Sequence, residues 1–156
     1  MKKTIFVLFC SLLYALSACG GENGTEQDLR LVEKALNLDL SGGILERFED
    51  SHGGFHGDGL TVAVVAVNDL DGTLADAEGW KPLPMSNSAA QAVQLCEEDG
   101  EAVEETAEGY YYLYDRHSQC EDHYDDAQLH SRYSYNFTAA VYDSGQGKLY
   151  FYKFDT

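Results

Sequence analysis

The sequence predicts an α+β domain: an antiparallel sheet of about five strands with two helices packed on one face. Three observations predict it. Residues 60–67 (LTVAVVAV) form an unbroken apolar run between Gly59 and the turn-forming stretch 68–72. That is the pattern of a central strand covered on both faces. Residues 133–141 alternate, with Tyr133, Tyr135, Phe137, Ala139 and Val141 on one side and mostly polar neighbours between them. Two further segments, 26–37 and 89–97, instead repeat apolar residues at helical spacing. Hairpin-like links keep neighbouring strands antiparallel, and helices then cover a face of the sheet.

Residues 1–18 stand ahead of this domain. Lys2 and Lys3 form a charged beginning, and an apolar stretch from Ile5 to Leu16 follows. Together they read as a secretory signal, too short and wrongly flanked for a transmembrane helix. Leu16-Ser17-Ala18-Cys19 is similar to the bacterial lipobox. The resemblance implies cleavage before Cys19, a diacylglycerol on its sulfur, and a further amide-linked chain such as palmitate. Two or more chains hold a protein stably on a membrane, whereas one alone is marginal. An ordinary signal peptide with a nearby cysteine, or an uncleaved anchor, is the plainer alternative. Residues 19–25 read as lipidated cysteine and short tether, and 26–156 as one globular domain, expected outside the cytoplasm on the bacterial cell membrane.

Each element has its own signal. Thr25 reads as an N-cap with Asp28 as its capping-box partner, and Leu29, Val32 and Leu36 form a stripe over 26–37. Gly42 and Gly43 stop any continuation. Residues 44–51 (ILERFEDS) read as a strand with an acidic outer side, joined by the loop 53–59 to the apolar run. The two prolines hold residues 80–84 extended, and the single tryptophan, Trp80, is expected against the sheet. Ser86 or Ser88 caps the second helix, whose inner side carries Ala89, Val93 and Cys96. Residues 97–108 hold seven carboxylates in twelve positions and read as a solvated loop. Residues 110–115 (YYYLYD) and 133–141 read as strands. The loop 143–147 then returns the chain as an edge strand over 148–154.

Composition restricts partners. The formal charge is −17, and loss of Lys2 and Lys3 with the leader makes it two units more negative. Such a surface does not neutralise phosphates, so nucleic acid is not an expected partner. An anionic leaflet repels it as well. The remaining partners are the membrane through the lipid, and a protein, peptide or small ligand. Cys10 departs with the leader, leaving Cys96 and Cys120 in the domain. Outside the cytoplasm an even pair reads as a disulfide, with two buried free thiols as the alternative.

Two stretches carry candidate chemistry. In His52-Gly-Gly-Phe-His56-Gly-Asp58, two imidazoles and a carboxylate share one loop, a donor set suited to Zn²⁺ that His117, His123 or His130 would complete. The same loop also reads as a glycine-rich structural connection. Asp69-Leu70-Asp71-Gly72-Thr73-Leu74 (DLDGTL) puts two carboxylates just after the apolar run. With Asp76 they are oxygen donors for Ca²⁺, although an EF-hand loop from Asp69 fails, because Leu74 and Trp80 occupy the positions requiring glycine and a carboxylate. No cofactor is otherwise expected. The ordinary role of such residues is a turn.

DLDGTL after an apolar strand resembles the first motif of haloacid dehalogenase-like phosphohydrolases. The resemblance implies Asp69 as nucleophile and Asp71 as acid and base beside Mg²⁺. The rest of the chain departs from that family, whose parallel sheet requires βαβ crossovers. More broadly, DLSGG, SHGGFHGDG, GWKPLP, YYYLYDRH and SRYSYNF resemble a group of uncharacterised extracytoplasmic lipoproteins of Gram-positive bacteria. That likeness implies location and a single small domain. The sequence thus leads to the expectation of a lipid-anchored, non-enzymatic binding domain. The alternative is a metal-dependent hydrolase using Asp69 and Asp71, or the His52, His56 and Asp58 loop.

Overall fold

A computed structural model describes residues 22–53, 57–97, 103 and 108–156. Its α+β class is the one expected. Helix α1 (Glu22–Leu36) is followed by strands β1 (Ile44–Asp50) and β2 (Gly59–Ala66), then a short helix α2 (Asp71–Ala75) and strand β3 (Trp80–Pro82). Helix α3 (Asn87–Glu97), β4 (Gly109–Asp115), a 3-10 turn (Leu129–Ser131), β5 (Asn136–Asp143) and β6 (Lys148–Asp155) complete the chain. Every pairing is antiparallel, in the order β1-β2-β6-β5-β4-β3.

Among the described residues the sheet has six strands, against an expectation of about five. The extra one, β3, spans only Trp80–Pro82, too short for any alternation to announce it. Lateral order also differs. The apolar run forms β2, one place in from the edge, while the expected edge strand 148–154 lies in β6 near the middle. The continuous hydrophobicity of β2 reports burial on both faces, not position across the sheet. Val62 and Val64 point to one face, and Ala63 and Val65 to the other. Each valine withdrawn from water contributes about 1.5–3 kcal/mol.

This two-sidedness corrects the placement of the helices, which lie on opposite faces instead of one. Val32 and Leu36 of α1, with Leu74 of α2, pack on Ala63, Val65, Ala140, Leu149 and Phe151. Ala89, Ala92, Val93 and Cys96 of α3, with Leu129 of the 3-10 turn, pack on Val62, Val64, Ala139, Val141 and Tyr152. A sheet apolar on both sides needs cover on both.

Local signals held more closely. Ser86 caps α3, its Oγ accepting from the Ala89 amide at 3.1 Å. The β5–β6 hairpin turns through Gly147 at φ +63°, and Asp143 Oδ1 accepts from the Gln146 amide at 2.9 Å. Helix α1 begins at Glu22, four residues ahead of the expected start and inside the stretch read as tether, so Thr25 lies within the helix. Cys19 lies outside the described residues.

Candidate functional site

Strand register builds a gradient along the α1 face. One cross-strand row is apolar: Phe48, Ala63, Phe151, Ala140, Tyr112 and Trp80. The next row toward the Asp50 end is Asp50, Thr61, Lys153, Thr138 and Tyr114. Beyond it lie His52, Asp155 and Arg116, at the ends of β1, β6 and β4. The polar end of this face therefore gathers side chains from strands distant in sequence.

His52 stands at the centre of that end. Its amide donates to Asp50 Oδ1 at 3.0 Å, folding the strand end into an Asx turn. Its ring Nδ1 lies 2.5 Å from Asp50 Oδ1, and Nε2 lies 3.1 Å from Asp155 Oδ2. The Thr61 hydroxyl donates to Asp50 Oδ1 at 3.2 Å. Asp155 Oδ1 pairs with Arg116 Nη2 at 2.8 Å. Arg116 also donates from Nη2 to the carbonyls of Phe137 and Phe154, and from Nε to Thr138 Oγ1. Burial works to raise the Asp50 carboxyl, but the bonds from the His52 amide and ring and the Thr61 hydroxyl outweigh it and hold it below its ordinary value.

Gly59 makes this arrangement fit. A Cβ there would come 2.7 Å from both the His52 Cα and amide nitrogen. Only a residue without a side chain lets the histidine lie against the start of β2. The last glycine of the loop is thus accounted for by close backbone approach.

The cluster has a nucleophile–base–carboxylate order, since Thr61 Oγ1 lies 3.2 Å from His52 Nδ1 and Asp155 sits on the other ring nitrogen. Thr61 is only 1% exposed, however, so no substrate carbonyl or phosphorus reaches its hydroxyl in this arrangement. Both ring nitrogens already face carboxylates. The geometry locks the β1–β2 connection to the last strand.

The expected donor set is only partly brought together. His52 joins Asp50 and Asp155 instead of Asp58, which is exposed, and His56 lies outside the described residues. Among the described residues no group of three or more His, Cys, Asp or Glu side chains is placed to hold a metal ion. The other histidines are dispersed. His117 Nδ1 accepts from the Gln119 amide, His123 Nδ1 contacts the Asp115 carbonyl at 2.5 Å, and His130 Nε2 contacts the Ser88 carbonyl at 2.9 Å.

Asp69 and Asp71 form a turn. Asp69 Oδ1 accepts from the Asp71 amide at 2.9 Å, and Asp71 is the first residue of the five-residue α2. The Tyr142 hydroxyl accepts from the Leu70 amide at 3.2 Å, and Leu74 is wholly buried. Among the described residues the strands after this turn pair only antiparallel, unlike the parallel sheet of the phosphohydrolase core.

Cys96 and Cys120 are not joined in the structure, where both stand as free thiols. Cys96 is buried on the α3 face, where burial, and then the nearby Glu97, push its thiol up to about 12. Cys120 donates to the Asp122 carbonyl in the loop whose His123 stacks on Tyr114, a residue of the α1 face, and whose Tyr124 meets the same ring edge-on.

The tyrosines mostly serve the core. Tyr112 packs with Trp80, Tyr114 and Tyr124 at centroid separations of 5.4, 6.4 and 6.1 Å. Burial raises the Tyr112 hydroxyl above its ordinary range. Gly79, at φ +81°, lets the Tyr124 ring sit on the backbone beside β3. Among the described tyrosines Tyr133 is the exception: it is fully exposed.

Asp50, Thr61, Arg116 and Asp155 were not candidates from the sequence. Their signal was present but faint. Thr61 is the one hydroxyl inside an apolar run, and Lys153 and Asp155 fall at inward-phase positions of an aromatic strand. Comparison with protein-family models, with curated proteins and with solved structures finds no match for the chain.

Proposed function

We propose that this chain is a lipid-anchored extracytoplasmic binding domain, tethered through Cys19 and presenting a rigid surface to a protein or peptide partner. The observation that carries the reading is the presentation of Tyr133. This side chain is fully exposed, yet the residues around it are pinned. Arg132 pairs with the buried Asp115, and His130 contacts the Ser88 carbonyl. Tyr135 makes two hydrogen bonds with Thr156, its amide donating to the side-chain Oγ1 at 2.8 Å and its carbonyl accepting from the Thr156 amide at 2.9 Å. A tyrosine held out on a fixed frame supplies contact area at low entropic cost, which is how such residues become interface anchors. The lipobox-like Leu16-Ser17-Ala18-Cys19 supports the anchor.

The test compares the full-length protein with Tyr133→Ala and Cys19→Ser on intact cells. Surface crosslinking followed by mass spectrometry is expected to recover a partner with the wild type and lose it with Tyr133→Ala at equal surface abundance. An identical crosslinked set for both proteins overturns the Tyr133 surface. Fatty-acid labelling is expected for the wild type and absent for Cys19→Ser; equal labelling overturns the anchor.

A further inference from the structure

We draw no further inference here: the strongest candidate, the outer edge of β1, unpaired among the described residues at the margin of the sheet, has Glu46, Glu49 and Asp50 already matched by Lys148, Arg47 and His52, and nothing in the structure shows what covers it.

Discussion

His52 Nε2 lies 3.1 Å from Asp155 Oδ2, joining the β1–β2 connection to the end of the chain's last strand. Both residues are largely withdrawn from water, each side chain being 16% exposed. A bond between such groups resists competition from solvent better than a surface ion pair does. The contact is therefore a structural clasp at the polar end of the sheet, and the consequences of opening it are specific.

His52→Ala removes the ring that separates Asp50 from Asp155 and leaves both carboxylates short of a donor. Loss of a partner from partly buried polar groups costs about 1–3 kcal/mol. Urea unfolding followed by Trp80 fluorescence is expected to show that decrease with an unchanged slope. Gly59→Ala is expected to destabilise the same region by a different route, because its Cβ meets the His52 backbone, not a flexible tip. If both variants unfold at the wild-type midpoint, the clasp does not hold this end together.

Asp50 makes part of this stability depend on acid. Its carboxyl is held below the ordinary 3.8, so in the folded protein it releases its proton more readily than in the unfolded chain. The sign follows from linkage. The contribution is fully present above about pH 4 and is lost as pH falls through the lowered folded value. Wild type and Asp50→Asn are therefore expected to differ in urea midpoint at pH 5, and the gap to narrow as pH falls below the ordinary 3.8. A gap that widens on acidification would contradict the assignment.

How much of this was legible in the sequence depends on whether the determining contacts are local. The β2 run, the alternation of β5 and the Ser86 cap of α3 are properties of neighbouring residues, and each was readable. Strand order was not, because the partner of Val64 is Tyr150, and nothing near Val64 says so. The helices lie on opposite faces because Val62 and Ala63 are both apolar, so both faces of β2 need cover. The His52 loop is conspicuous in the sequence for its histidines and glycines. Its true partners, Asp50 and Asp155, sit at strand ends and meet His52 only once the register of β1, β2 and β6 is set.

The two domain cysteines should behave differently toward an alkylating agent. The thiolate is the reactive form, and burial that pushes Cys96 up to about 12 leaves almost none of it near neutral pH. Cys96 is also wholly inaccessible, whereas Cys120 is partly exposed. Iodoacetamide at pH 8, read by peptide mapping, is expected to mark Cys120 in the folded protein and to reach Cys96 only after denaturation. A Cys96–Cys120 linked peptide in an unreduced digest would overturn the free-thiol arrangement.

The frame behind Tyr133 rests on Asp115, which is 1% exposed and pairs with Arg132. Asp115 also accepts from the His117 amide at 3.0 Å, and its backbone amide donates to the His123 carbonyl at 2.8 Å. One buried carboxylate thus fixes the chain on both sides of the long connection between β4 and β5. Removing a single member of a buried pair strands the other charge, at a cost of about 3–5 kcal/mol. Arg132→Ala is expected to lower stability on that scale. Arg132→Ala combined with Asp115→Asn should recover part of the loss, because the uncompensated charge is gone. Tyr133→Ala, one residue away but fully exposed, is expected to leave the urea midpoint unchanged. Equal destabilisation by Arg132→Ala and the double variant would mean that lost packing, not the stranded carboxylate, governs this loop.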